Sequence, residues 1–186
     1  MVRDPVERLL SGFKYFKRYH KKFGDHPAGF HTFATTSMNA FNDCLSRREL
    51  NTQPYDALVA TDFCFYAVQK GRWAPATRLM IGYYGSILSW YLRCFSRENF
   101  HIIHIEDYMK NPRQVLEDTF KFLEIGAIAS ESDWKQLLGD SKIRNKNSNA
   151  GSGYVMNAKT RENLKIFYKS SNERAAKLAS DLAFLY

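Results

Sequence analysis

Arg3-Asp4-Pro5-Val6-Glu7-Arg8-Leu9-Leu10-Ser11-Gly12-Phe13 decides how the chain is entered. Asp4 is a side-chain acceptor placed one residue before a proline, so it predicts an N-cap with Pro5 at the first helical position, where the missing N–H costs nothing. Glu7 falls three residues after the cap and is positioned to reach back toward it. Val6, Leu9, Leu10, Phe13 and Phe16 recur at helical spacing and give the helix one apolar face. Ahead of it, Met1-Val2 reads as the end of a strand, so the unit is strand, turn, helix. Arg3 precedes the cap and Ser11 lies two turns in. A guanidinium and a hydroxyl near the positive end of a helix suit a phosphate. Taken by themselves, these residues fit an ordinary capped helix better than an anion site.

The composition bounds the rest. With 186 residues, 45% hydrophobic and 25% charged, the chain has enough apolar surface for one folded domain over residues 1–186. A formal charge of +8 points to an anionic partner: a nucleotide, a sulfated glycan, nucleic acid or an anionic membrane. Lys14, Lys17, Arg18, Lys21 and Lys22 concentrate part of that charge early, and such a run reads by default as a solvated helix face. Cys44, Cys64 and Cys94 contain no C-x-x-C pair, which argues against a structural zinc site, while one disulfide plus a free thiol stays open. No apolar run approaches the roughly 18 residues that span a bilayer, and charges follow Met1-Val2 at once, so neither a membrane contact nor a signal peptide is expected. Aromatic residues fall at core spacings rather than among the cations, which argues against a nucleic-acid binder.

Along the chain, the first helix is expected to run to about Phe23 and to end at Gly24, with His26-Pro27-Ala28-Gly29 as a turn. A second helix is expected from about Thr35 to Leu50, with Met38, Phe41 and Leu45 on one side. Residues 51–76 read as a long loop with a short element around Ala60–Val68. Gly82–Phe95 reads as a buried aromatic helix packed on a sheet, and Phe100–Ile105 as a strand covered on both faces. His101 and His104 do not share a face at period two, so they are not expected to share a metal. Asn111-Pro112 and Ser130 through Asp133 each signal a helix start. Gly139–Gly153 is a polar loop, and two terminal helices are expected, about Lys159–Tyr168 and Asn172–Leu182. Strands alternating with helices make the fold class α/β.

Arg3-Asp4-Pro5-Val6-Glu7-Arg8, then Ser11-Gly12, resembles the 3′-phosphate motif of sulfotransferases that use 3′-phosphoadenosine 5′-phosphosulfate (PAPS). Gly82, Tyr84, Leu88, Leu92 and Phe95 with Arg97-Glu98 resemble the helix and turn before a core strand in carbohydrate sulfotransferases, although Tyr91 stands where that family has Trp. Ile105-Glu106-Asp107-Tyr108, Asn111-Pro112 and Phe122-Leu123 resemble the following segment. The tail from Thr160 through Leu164, Phe167-Tyr168 and Asn172 to Phe184-Leu185-Tyr186 is similar to the C-terminus of N-acetylgalactosamine 4-sulfate 6-O-sulfotransferases. The resemblance implies a P-loop-nucleotide-binding-like parallel sheet flanked by helices. It also implies PAPS as co-substrate without a metal, and a glycosaminoglycan-type carbohydrate (chondroitin or dermatan sulfate) as acceptor. The implied setting is that of a type II membrane protein facing the Golgi lumen. Carried over by position, Arg3 and Ser11 hold the 3′-phosphate, and Arg144 and Lys146, with Lys142 nearby, belong to a basic loop that closes over the nucleotide.

One departure is plain. No G-x-x-x-x-G-K-[ST] or similar loop occurs in residues 1–186. In the resembling family that loop and the catalytic base precede the position of Arg3. The sheet is therefore expected to be incomplete at the N-terminus, the catalytic residues are expected upstream of Met1, and the 186 residues alone are expected to be inactive. The alternative is a non-catalytic remnant that binds nucleotide or sulfated glycan through its basic surface.

Overall fold

The computed structural model describes residues 1–49, 63–64, 78–139 and 155–186. These divide into two compact units, one formed by Asp4–Cys94 with Asn149–Tyr186, the other by Met1–Arg3 with Phe95–Ser148.

The larger unit starts with α1 (Pro5–Tyr15), where Asp4 Oδ1 accepts from Val6 N at 2.8 Å and Pro5 occupies the first turn. Glu7 does not reach back to the cap. Its carboxylate pairs with Arg161 at 2.6 Å, an interhelical contact that outcompetes a local one. The expected single helix to Phe23 is two: Phe16 is extended (φ −93°, ψ 95°) and separates α1 from α2 (Lys17–Phe23). The break turns Phe16 edge-on to Tyr15 and Tyr19, at 4.9 and 5.9 Å between ring centroids. Ring packing here overrides helix continuity.

The region expected as a turn begins α3 (Pro27–Glu49). His26 serves as its cap, Nδ1 accepting from Gly29 N at 3.0 Å, with Pro27 at the first position. A Cβ on Gly29 would stand 2.3 Å from the carbonyl oxygens of Phe23 and Gly24, so the close approach of the two helices requires glycine. Phe30, Phe33, Met38 and Phe41 on α3 join Val6, Leu9 and Phe13 of α1 and Tyr19 of α2 in one core, with Leu45 packed at its side. Cys44 near the end of α3 is bonded to Cys64, leaving Cys94 as an exposed free thiol. The short element expected around Ala60–Val68 lies outside the described residues apart from a helical turn at 63–64.

The aromatic helix is shorter than expected: α4 is Tyr84–Tyr91, and Tyr91 and Phe95 are exposed. Its partner is helical rather than a sheet. α4 lies on the last helix, α8 (Ala158–Ala179), with Gly85 N donating to Ser171 Oγ at 3.0 Å. A Cβ at Gly85 would meet Ser171 O at 2.5 Å, so glycine sets this crossing distance too. The expected pair of terminal helices is continuous in α8, because Leu164, Tyr168, Ser171, Ala175 and Ala179 maintain one buried stripe through the polar Ser170-Ser171-Asn172. Tyr168 Oη donates to Leu79 O at 2.7 Å, and Arg8 donates to the adjacent carbonyl of Arg78, clasping the helical turn at 78–80.

In the smaller unit the expected strand Phe100–Ile105 reduces to one parallel bridge, Val2 with His104, made by Val2 N→Ile103 O (2.7 Å) and Ile105 N→Val2 O (2.9 Å). Ile105 already belongs to α5 (Ile105–Lys110). Among the described residues there is no sheet: a run needs ladder partners on both sides to act as a central strand, and here it meets Val2. α6 (Pro112–Phe122) is capped by Asn111, and α7 (Glu131–Leu138) by Ser130, both as the sequence indicates. Trp134 is buried against Phe120, with the Arg113 guanidinium 5.0 Å from its ring.

Candidate functional site

The phosphate-type site predicted from the sequence begins on α1. Val6, Leu9, Leu10 and Phe13 turn that helix's apolar stripe inward, so Ser11 falls on the outer face and is exposed. Its hydroxyl makes no hydrogen bond among the described residues and is available to an oxyanion. Arg3 belongs to the smaller unit and is half-buried; it follows Val2, whose bridge to His104 fixes the local backbone. The structure thus places each residue in its own unit. Arg144 and Lys146, with Lys142, lie outside the described residues.

Two further guanidinium groups, which the sequence did not single out, flank α1. Arg8 is half-buried beside Tyr84 and Tyr168, and loss of water around it pulls its pKa below the ordinary arginine value. One arm binds the Arg78 carbonyl, while its Nε is buried without a partner. Arg78 lies with its guanidinium carbon 3.9 Å from the centre of the Phe16 ring, a cation–π contact, and its Cδ would be 4.0 Å from a Cβ on Gly12. The Arg8–Gly12–Phe16 spacing was the available signal: a four-residue row with glycine at its middle leaves a groove for a long side chain. These two arginines brace α1 rather than present themselves to solvent.

The smaller unit has a depression of about 400 Å³ lined by His101, His104, Asp107 and Lys110, among others. His101 Nε2 is 3.1 Å from Thr119 Oγ1 and its ring stacks on Phe122, so it is held as a packing residue. Among the described residues no group of three His, Cys, Asp or Glu side chains could hold a metal ion. No described helix is long and apolar enough to cross a membrane.

Helix α1 is thus capped by Asp4, opens on Pro5 and carries an outward Ser11 two turns in. The chain belongs to the sulfotransferase domain family, which matches residues 1–174, a span that includes α1 and most of α8. Human carbohydrate sulfotransferase 15 is 27% identical over 190 residues, covering all of this chain, and the rat protein is 27% identical over 186 residues. The chain spans about 30% of the length of these relatives. A squid (Nototodarus sloanii) carbohydrate sulfotransferase 15 is 26% identical over 145 residues, covering 77% of this chain and 82% of its own length. No solved structure matches.

Proposed function

We propose that this chain is part of a PAPS-dependent carbohydrate sulfotransferase. In this reading both units belong to one sulfotransferase domain, whose α/β sheet is continued by segments other than those described. The domain moves a sulfuryl group from PAPS to a hydroxyl of a glycosaminoglycan, the 6-hydroxyl of N-acetylgalactosamine in chondroitin or dermatan sulfate, in the Golgi lumen. The bond broken is the one between sulfur and the phosphate oxygen, and the bond formed joins sulfur to the acceptor oxygen, whose proton passes to a base. This chain's part is to hold the nucleotide. Ser11 donates its hydroxyl hydrogen to a 3′-phosphate oxygen, Arg3 supplies a charged fork to the same group, and Arg144 and Lys146 add positive charge from their loop.

The observation that supports the reading is Ser11. It stands outward and makes no hydrogen bond among the described residues, on a helix that Asp4 caps and Pro5 opens, at the offset the resembling motif gives it. Had Ser11 faced the core, the assignment would have failed. Calorimetry with adenosine 3′,5′-bisphosphate tests it. Arg3→Ala is expected to weaken binding by about 1.5–3 kcal/mol, or roughly 10- to 150-fold, the scale of a hydrogen bond to a charged group. Ser11→Ala is expected to weaken it less. Binding unchanged by both substitutions would reject the site.

A further inference from the structure

The outer face of α2 is built almost entirely of cations. In Lys17-Arg18-Tyr19-His20-Lys21-Lys22-Phe23 the residues Tyr19 and Phe23 turn inward to the core, and Lys17, Arg18, Lys21 and Lys22 are exposed. Lys17 with Lys21, and Arg18 with Lys22, stand four residues apart, so like charges face each other twice along one short helix. That arrangement opposes helix formation. Aromatic packing from below holds it: Phe13 and Tyr19 stack at 6.3 Å, and Tyr19 meets Phe33 at 4.9 Å.

Carboxylates do not relieve the repulsion of Lys17 with Lys21. Among the described residues none pairs with Lys17, Arg18 or Lys21. Arg18 is instead laid over the Tyr19 ring at 5.0 Å, donating to Tyr19 Oη at 3.1 Å, and His20 Nδ1 lies 3.6 Å from Asp25 Oδ2. His20 is also bound to the Phe13 carbonyl at 2.9 Å, which ties this end of α2 to the core. Beside the ridge, at the Phe16 bend, Tyr15 is 60% exposed and offers a flat ring next to the cations.

We propose that the outer face of α2, with Lys17, Arg18 and Lys21 at its centre and Tyr15 at its edge, is a docking strip for a polyanionic glycan. It engages the sulfate- and carboxylate-bearing stretch of the acceptor away from the sugar that reacts. The choice of a glycan acceptor rests on the transferase reading given above; the charge complementarity does not. Sulfates and carboxylates neutralise the repelling pairs, and the Tyr15 ring takes the apolar face of a pyranose. A membrane fits less well, since no apolar side chain stands between the cations of α2 to enter lipid. A nucleic acid fits less well, since Tyr15 is the one aromatic ring beside the ridge with most of its surface exposed, and base stacking needs several.

The test measures binding of the full chain to a fluorescent chondroitin 4-sulfate decasaccharide, without nucleotide, at several salt concentrations. Desulfated chondroitin of equal length, a single-stranded RNA and phosphatidylserine vesicles are the comparison ligands. The sulfated chain is expected to bind tightest. In the variant carrying Lys17→Gln, Arg18→Gln and Lys21→Gln, the slope of log affinity against log salt is expected to fall by about three, one per cation removed. Lys17→Arg with Lys21→Arg should retain binding. The glutamine variant should melt no lower than the parent, because like-charge pairs have been removed. An unchanged salt slope, equal affinity for the unsulfated chain, or tighter binding to RNA or vesicles would overturn the strip. Adenosine 3′,5′-bisphosphate binding separates the two readings. If the parent ignores the nucleotide yet holds the sulfated glycan through these cations, the strip stands and the transferase reading falls. A glutamine variant that loses both ligands together overturns the strip.

Discussion

The two units use similar residues to different ends. Around α1, α3 and α8, Phe13, Phe30, Phe33, Leu164 and Tyr168 are fully enclosed, and the phenylalanine rings pack closely, Phe13 with Phe30 at 5.4 Å and with Phe33 at 5.1 Å. Around α5, α6 and α7, Trp134 is the one buried aromatic among the described residues, while Phe95 and Phe122 are 55% and 37% exposed. Aromatic residues recur in both stretches of sequence. What differs is the number of helix faces that converge on them. Stability in a protein is distributed in this way, with densely packed parts opening only near the global free energy and thinly packed parts opening locally.

The largest expected effect breaks that difference directly. Phe13→Ala removes a fully enclosed ring that touches Tyr19, Phe30 and Phe33, and is expected to cost about 3–5 kcal/mol, lost transfer energy plus a cavity. Phe122→Ala in the smaller unit removes a ring already partly in water and is expected to cost well under half as much. Urea denaturation followed by hydrogen exchange reads both. Equal costs would mean that the two units share their stability despite the difference in burial.

The disulfide sharpens the comparison because it lies in the larger unit alone. Cys44 and Cys64 close a separation of 20 residues. Replacing both by Ser is expected to remove about 2–4 kcal/mol, chiefly by releasing the unfolded chain. Exchange protection should fall in α3 and remain unaltered in α6. Under non-reducing conditions iodoacetamide should label Cys94 alone, and labelling of three thiols would show that the bond is not formed.

What the sequence disclosed follows the range of the forces involved. Caps are local, so Asp4, Asn111 and Ser130 announce their helices. The outward position of Ser11 follows from the 3.6-residue period of Val6, Leu9, Leu10 and Phe13. Where a distant partner or an uncommon cap residue decides, the sequence alone misleads. His26 caps α3 with a ring nitrogen, outside the usual cap residues, so Pro27-Ala28-Gly29 looked like a turn. The expected break between Tyr168 and Asn172 does not occur in α8, because Ser171 receives the Gly85 N–H and lies buried in the stripe. The pairing of Cys44 with Cys64 was undecidable by spacing, since three cysteines permit three pairings. The run Phe100–Ile105 has the apolar content of a strand, yet strand identity belongs to its neighbours, and Val2 is the neighbour it has. Of the candidate site, Arg3 and Ser11 were legible as a motif; the bracing of α1 by Arg8 and Arg78 was not, because it depends on a turn some seventy residues away.

The smallest expected effect concerns one hydroxyl in the larger unit. Tyr168 is fully buried and donates to Leu79 O at 2.7 Å, and Tyr168→Phe should cost about 0.5–1.5 kcal/mol at neutral pH, the net worth of one hydrogen bond. The same residue carries a pH signature. Burial pushes its pKa well above the ordinary tyrosine value of 10.0, and the nearby Arg8 charge only partly opposes that. The folded state therefore keeps the proton while the unfolded chain releases it, so the unfolded state binds fewer protons above pH 10. Stability from this group is complete below that pH and falls above it, with a limiting slope of about 1.4 kcal/mol per pH unit. Urea midpoints taken between pH 8 and pH 11.5 should decline more steeply for the parent than for Tyr168→Phe, and the difference between the two proteins should narrow as pH rises. Parallel declines would mean that the Tyr168 ring is reached by water and hydroxide, and the contrast between an enclosed and an open unit would lose its clearest member.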